Sequence, residues 1–455
     1  MTKPNILLLT IDTLRADTLG YAGYHRPITP NIDKLASQGI RFTQAITPGS
    51  WTQAAFPGII TSTYACMYGG CLGRLSPERP SPVKIMGDEG GYETAAFSTS
   101  PLLSRTYGYD RKFQRFNDLN PGEKNPWLRG IKGGQFMLRQ PITHHLVKLM
   151  GQNWRPPKLY ATAAELNEMA MPWLASVNEP FMAWLHYMDV HWPYHLEDSL
   201  TKPKDIAQAW RDLSHLHEVN WYGAPVSPEQ KARYIRLYEE AIAYTDAQIG
   251  RLMEFLDETG LAENTVIVLV SDHGEEFLER RHWGHVELNL YDEILKVPLL
   301  MRIPGVAGNQ VIGQQVSTMD IMPTLLELAG CRIPEKVLGK SLMPLWDGDP
   351  ADYAVDVVIG ERWRDTSHMI AVRTEEYKYI WDDARPDQPL LFDLRKDPGE
   401  QHNIAAEHPD VVQALHRHVE AQLERMRSTA PSEKSQEPVL DAEIVARLRG
   451  LGYVE

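Results

Sequence analysis

Four runs of this chain, residues 6–11, 181–185, 266–270 and 297–301, are apolar throughout but for Thr10. A stretch without polar alternation has no face to offer water, so it suits a strand covered on both sides in a parallel or mixed sheet. Helical patterns fill the intervals. Residues 31–38 follow a Thr-Pro start, 55–61 are compact, and 228–259 are long and amphipathic up to Gly260. The alternation predicts an α/β fold whose central mixed, mostly parallel sheet is sandwiched by helices.

Polar residues crowd where these runs stop. Asp12 ends the first, His186, Asp189 and His191 follow the second, and Asp272 and His273 follow the third. Open α/β sheets bind ligands beyond the carboxyl ends of their strands, so these strands deliver acids and imidazoles to one edge.

A length of 455 residues exceeds the size a single core sustains, and the texture changes near residue 350. Residues 355–359, 368–373 and 377–381 read as short strands, and 410–426 as a helix. The expected division is an α/β catalytic domain at 1–345, a smaller C-terminal antiparallel-sheet subdomain at 346–427, and a linker with a terminal helix at 428–455. A net charge of −14 speaks against a nucleic-acid partner. Three cysteines are too few for a disulfide framework. The chain shows no signal peptide and no apolar run long enough to span a membrane, which makes the cytoplasm the expected location. A homo-oligomer stays open.

Asp12 alone reads equally as a helix N-cap. Asp272 beside His273 is more telling, because oxygen and imidazole ligands at one strand end suit a divalent metal. A hydroxyl opening a helix, as in Ser50-Trp51-Thr52, can become an alkoxide if a metal lowers its pKa, although such residues commonly just cap.

Taken in order, these segments resemble the sulfatase family of the alkaline phosphatase superfamily. The matching stretches are Asp12-Thr13-Leu14-Arg15-Ala16-Asp17, Thr29-Pro30-Asn31-Ile32-Asp33, the Trp51-Thr52 helix and His191-Trp192-Pro193. Ser271-Asp272-His273-Gly274-Glu275, Trp283-Gly284-His285 and Leu391-Phe392-Asp393-Leu394 continue them, over roughly residues 3–405. The resemblance implies that Asp12, Asp272 and His273 hold one divalent ion (manganese, zinc or calcium) together with a nucleophile at Thr52. It implies that His191 touches the substrate or protonates the leaving group. His285 stands where many members have a Lys that grips the transferred group.

The departures are chemical. Most sulfatases oxidise a Cys or Ser to formylglycine within Cys-x-Pro-Ser-Arg, whereas this chain reads Thr52-Gln53-Ala54-Ala55-Phe56. Thr carries a methyl group on its carbinol carbon and cannot yield that aldehyde, so no formylglycine is expected. A Thr nucleophile resembles the phosphodiesterase and phosphoglycerol-transferase branches. Thr13 replaces a second metal-binding Asp and is free to donate to Asp12 or to a substrate oxygen. With Phe56 in place of the Arg, Arg15 and the histidines, His282 included, become the substrate-binding groups.

Other residues carry less weight. His186 reads as core or second-layer, Asp246 as structural, and Cys66 and Cys71 as packing thiols. His195 and Asp189 could serve a second ion, at a spacing that fits two-metal enzymes poorly. Segments 119–160 and 195–226 are Trp-rich and loop-like, suited to lids or to covering the core. The function expected is metal-dependent hydrolysis of a small-molecule or glycan sulfate or phosphate ester, phosphodiesters slightly favoured. A phosphoglycerol-type transferase and a catalytically weakened binding protein are the alternatives.

Overall fold

The computed structural model describes residues 3–70, 73–119, 160–196, 202–285, 289–364, 367–430 and positions 440, 444, 445, 447 and 448. The segment 120–159, the 428–438 linker from residue 431, and most of the terminal helix fall outside the described residues. The strands in chain order are β1 (Asn5–Ile11), β2 (Ile40–Ile46), β3 (Glu93–Ser98), β4 (Arg115–Asp118) and β5 (Phe181–Tyr187). They continue with β6 (Thr265–Ser271), β7 (Glu276–Phe277), β8 (Trp283–Gly284), β9 (Lys296–Arg302) and β10 (Gln310–Ser317). A second set follows: β11 (Val358–Arg364), β12 (Ser367–Arg373), β13 (Tyr377–Asp382) and β14 (Leu390–Asp393).

The large sheet runs β10-β2-β9-β6-β1-β5-β3-β4. Among the described strands of this sheet, β9 alone runs against its neighbours. Every residue of β1, β5 and β6 is buried, as their largely apolar sequences require. Helices cover both faces: Pro30–Ser37, Ala163–Leu174 and Pro228–Glu258 pack one core, and Thr52–Thr61, Pro82–Asp88 and Ile321–Leu328 the other. Register does the rest. Ile11 sits opposite Tyr187 on β5 and Ser271 on β6, so the segments leaving all three strands emerge at one level.

The smaller sheet is the antiparallel β11-β12-β13-β14, backed by the helix Pro409–Ser428. Its first strand begins at Val358, later than expected, and β14 adds a strand not foreseen. β2 and β10 also escaped the reading of apolar runs, because Arg, Thr, Gln and Gly interrupt their apolar residues and parts of both strands are exposed. The segment 195–226, expected as a loop, contains the helix Pro203–Tyr222. Pro in its first turn and left-handed Gly223 at its end are ordinary helix boundaries, and Ala209, Leu216 and Val219 form its buried stripe. Among the described residues, no helix is long and apolar enough to cross a membrane.

Candidate active site

The chain leaves β1 through Asp12 and turns sharply at Thr13, whose φ of 57° is unusual for a β-branched residue. Three contacts hold that conformation. The Thr13 hydroxyl donates to Val190 O (3.0 Å), its amide to Asp272 Oδ1 (3.2 Å), and Tyr238 OH donates to its carbonyl (2.8 Å). The hydroxyl expected to serve Asp12 or a substrate is thus spent on the backbone of the β5 exit.

Asp12, Asp272 and His273 are fully buried, and one ligand atom from each lies within 4.8 Å of the others. His273 Nε2 is 3.7 Å from Asp12 Oδ1 and 3.6 Å from Asp272 Oδ2. None of these three atoms has a hydrogen-bond partner. The other atoms of the same groups are occupied: Asp272 Oδ1 accepts from the amides of Thr13 and His273, and His273 Nδ1 lies 2.9 Å from Gly274 O. A carbonyl only accepts, so Nδ1 carries the ring proton and Nε2 turns its lone pair toward the two acids. Two buried carboxylates and one imidazole lone pair converging without donors form a set that fits a divalent cation. Burial pushes Asp12 and Asp272 up to about 6, and the charge of Asp12 adds to the effect on Asp272.

Thr52 opens the helix Thr52–Thr61, and its Oγ1 is 3.4 Å from Asp12 Oδ2. One turn later, Phe56 packs edge-on against His186 (5.0 Å between ring centres) and lies tilted against Trp184 (5.4 Å). The other side of the cage is imidazole. His285 lies 4.5 Å from His273 and 5.1 Å from His191, centre to centre. Burial pushes His191 and His285 down to about 4, well below the ~6–7 of a solvated ring. Both are neutral at pH 7. His191 Nδ1 meets Trp192 O, another pure acceptor, which leaves Nε2 as the basic atom.

Glu275 escaped sequence reasoning. It is fully buried, its Oε1 lies 3.0 Å from His285 Nδ1, and its Oε2 accepts from Tyr194 OH at 3.2 Å. Burial pushes it up to about 8. The available signal was Gly274. A Cβ there would fall 2.0 Å from Glu293 O, so the Asp272–Glu275 turn presses directly on the short helix Asp292–Leu295. The Gly274 and Glu275 amides donate to Ile294 O (2.7 Å) and Glu293 O (3.2 Å).

The remaining expected residues are placed as follows. The Arg15 guanidinium binds Asp17 (2.7 Å), Glu279 (2.8 Å) and Glu275 O (2.8 Å), so its charge ties β1 to the β6 exit rather than standing free for a substrate. His282 lies on the β7–β8 turn, with its amide on Glu276 Oε1. His195 pairs with Asp212, and Asp189 caps the helix at Ala163, which separates both from the cage. Asp246 caps the Pro30–Ser37 helix through the amides of Asn31 and Ile32.

A sulfatase family model matches residues 4–331, and one described as N-sulphoglucosamine sulphohydrolase, C-terminal, matches residues 283–429. Arylsulfatase K of Gallus gallus is 26% identical over 459 aligned residues, covering 91% of this chain and 81% of that protein. The multifunctional alkaline phosphatase superfamily protein PehA of Trinickia caryophylli is 26% identical over 479, covering 90% and 92%. Among solved structures, the phosphonate monoester hydrolase of Agrobacterium radiobacter matches with a TM-score of 0.70 at 22% identity, over 93% of this chain and 95% of that one. A structure in complex with its substrate D-glucosamine-2-N,6-O-disulfate matches at 0.72 and 18%, over 95% and 100%. At such identities the two structures speak for the fold.

Proposed function

The chain belongs to the sulfatase family and is an ester hydrolase, and on that premise we propose that Thr52 attacks the phosphorus or sulfur of a singly charged ester, phosphodiesters slightly favoured. The observation that carries this reading is the cage of three unpartnered atoms, Asp12 Oδ1, Asp272 Oδ2 and His273 Nε2, beside the Thr52 hydroxyl. A divalent ion held there would supply the positive charge that acidifies this hydroxyl and draws in an ester oxygen. Among the described residues, fixed positive charge elsewhere in the pocket is low: Arg15 is committed, and His191 and His285 are neutral. That balance suits one negative charge on the substrate better than two. The named activities of similar proteins, on phosphonate monoesters and on a disulfated glucosamine, agree with it.

Thr52 lacks the second hydroxyl of an aldehyde hydrate, so the transferred group must leave it by in-line attack of water or an alcohol. Phosphorus admits this readily, which tilts the reading toward phosphate. In this reading His191 Nε2, unprotonated at rest, would take up the proton that Thr52 gives up on attack and pass it to the leaving alcohol, and would then take the proton of the incoming water. In this reading His285, beside His273 and His191, and His282 on the β7–β8 turn would be the further substrate contacts. Turnover of a phosphodiester, a phosphonate monoester, a phosphate monoester and an aryl sulfate, each with Mn²⁺, Zn²⁺ or Ca²⁺, tests the proposal; no metal-dependent turnover of any would end it.

Three further outcomes are expected. Asp272→Ala should lose about one bound ion per chain by metal analysis, whereas equal content in variant and wild type would remove the cage from the argument. Because Asp12 and Asp272 bind protons up to about pH 6, affinity should fall as pH drops below that value, by roughly tenfold per unit for each carboxylate. Chelator competition between pH 7.5 and 5 reads it, and a flat profile contradicts it. His191→Ala should slow esters of poor leaving groups by roughly 10²–10⁴-fold and activated aryl esters much less. Equal losses on both would deny it the proton.

A further inference from the structure

His186 is a buried polar group beside the cage that the chemistry above does not use. It lies on β5 opposite Thr10 of β1, and Trp184, two residues earlier, shares its face of the strand. All three side chains, and that of Asp12, are fully buried. Trp184 Nε1 is 2.8 Å from Thr10 Oγ1, Thr10 Oγ1 is 2.9 Å from His186 Nδ1, and His186 Nε2 is 3.3 Å from Asp12 Oδ2.

The direction of this chain follows from its first member. An indole N–H can only donate, so the Thr10 oxygen accepts from it and has its own proton to give. Two acceptors are in range, His186 Nδ1 at 2.9 Å and Leu185 O at 3.4 Å, and the shorter contact takes it. With Nδ1 accepting, the ring proton sits on Nε2 and faces Asp12. Phe56, standing where the resemblance expects an Arg, closes the other side of the imidazole with an apolar edge.

We infer that Trp184, Thr10 and His186 form a one-way hydrogen-bond chain that makes His186 a positioning residue for Asp12 and, through it, for Thr52. His186 Nε2 makes no hydrogen bond of its own but lies 3.3 Å from Oδ2, the oxygen that also faces the Thr52 hydroxyl, so its N–H dipole draws that oxygen electrostatically and leaves Oδ1 to the cage with Asp272 and His273. The inference rests on the reading of Asp12 as a metal ligand and Thr52 as the nucleophile.

The first test needs no variant. In metal-free protein labelled with ¹⁵N-histidine, His186, assigned by the signal lost in His186→Gln, should show a protonated-type Nε2 and an unprotonated-type Nδ1; the opposite tautomer overturns the inference. The second uses Thr10→Val, which keeps the branched shape and deletes only the hydroxyl, and His186→Phe, which keeps a flat ring and deletes the donor. Partners behind metal ligands typically contribute 10–100-fold in affinity or activity, so Mn²⁺ affinity and kcat should fall by roughly that much in His186→Phe. His186→Gln, which restores an N–H, should recover part of it, with KM little changed throughout. Wild-type Mn²⁺ affinity and kcat in both Thr10→Val and His186→Phe would overturn the inference. Asp272→Ala measured alongside separates the two failures. If it loses the ion while the His186 and Thr10 variants bind like wild type, only the positioning role falls; if it too keeps the ion, the underlying cage was misread.

Discussion

Replacing Thr52 by Ala is expected to lower turnover by roughly 10³-fold or more on the best ester found, with the fold and most metal binding intact. The size follows from what disappears. A nucleophile already placed beside Asp12 Oδ2, at the start of a helix, contributes its positioning and its acidified hydroxyl together, and each ~1.4 kcal/mol is tenfold in rate. Thr52→Ser should keep part of the activity, since only the methyl group goes. Mass spectrometry of the resting protein should find Thr52 unmodified, because its carbinol carbon cannot become an aldehyde. Unchanged turnover in Thr52→Ala would transfer the nucleophile's role to water or to another residue.

The second large effect is structural. Asp292 opens the short helix that abuts the Asp272–Glu275 turn, and its carboxylate accepts from Arg373 on β12 (2.9 Å) and Lys378 on β13 (2.8 Å). Lys378 also reaches Glu400 (2.9 Å), and Arg373 reaches Gln44 on β2 (3.0 Å). Lys378 is fully buried. Asp292→Ala leaves that ammonium with one carboxylate instead of two, and breaking a buried pair in this way costs about 3–5 kcal/mol. A Tm lower by on the order of 5–10 °C is expected, together with weaker metal binding. Despite burial, Lys378 and Arg373 hold the Asp292 carboxyl far below the usual range. Its contribution to stability is therefore complete above the unfolded-state pKa near ~3.9, and it is lost only as pH falls through the depressed folded value. An Asp292→Ala protein as stable as wild type at pH 7 would show that the cluster is ornamental.

What could be read from the chain, and what could not, follows from the range of the forces involved. β1, β5, β6 and β9 announce themselves because burial on both faces writes a largely apolar run. Asp12, Asp272 and His273 could be singled out because a polar residue directly after such a run has few structural reasons to be there. Glu275 was not, since Glu276 beside it is buried too and the one local hint was Gly274, whose close seat against Glu293 positions the turn. The fate of Arg15 was equally hidden. A guanidinium near a site looks available until the fold brings Glu279 to it from across the molecule. Thr13 carried no sign of its left-handed turn, which the β5 exit and Tyr238 impose through contacts distant in sequence.

The seat of Gly274 has one more implication. Its amide is bonded to Ile294 O, that short helix begins at Asp292, and Asp292 is gripped from the second sheet. The catalytic turn and the C-terminal strands are therefore links of one mechanical assembly, although some hundred residues of chain separate them. A protease that nicks the later part and frees its sheet would not leave a trimmed working enzyme behind. It would slacken the turn that carries Asp272 and His273, so inactivation and loss of the tail should proceed at a single rate.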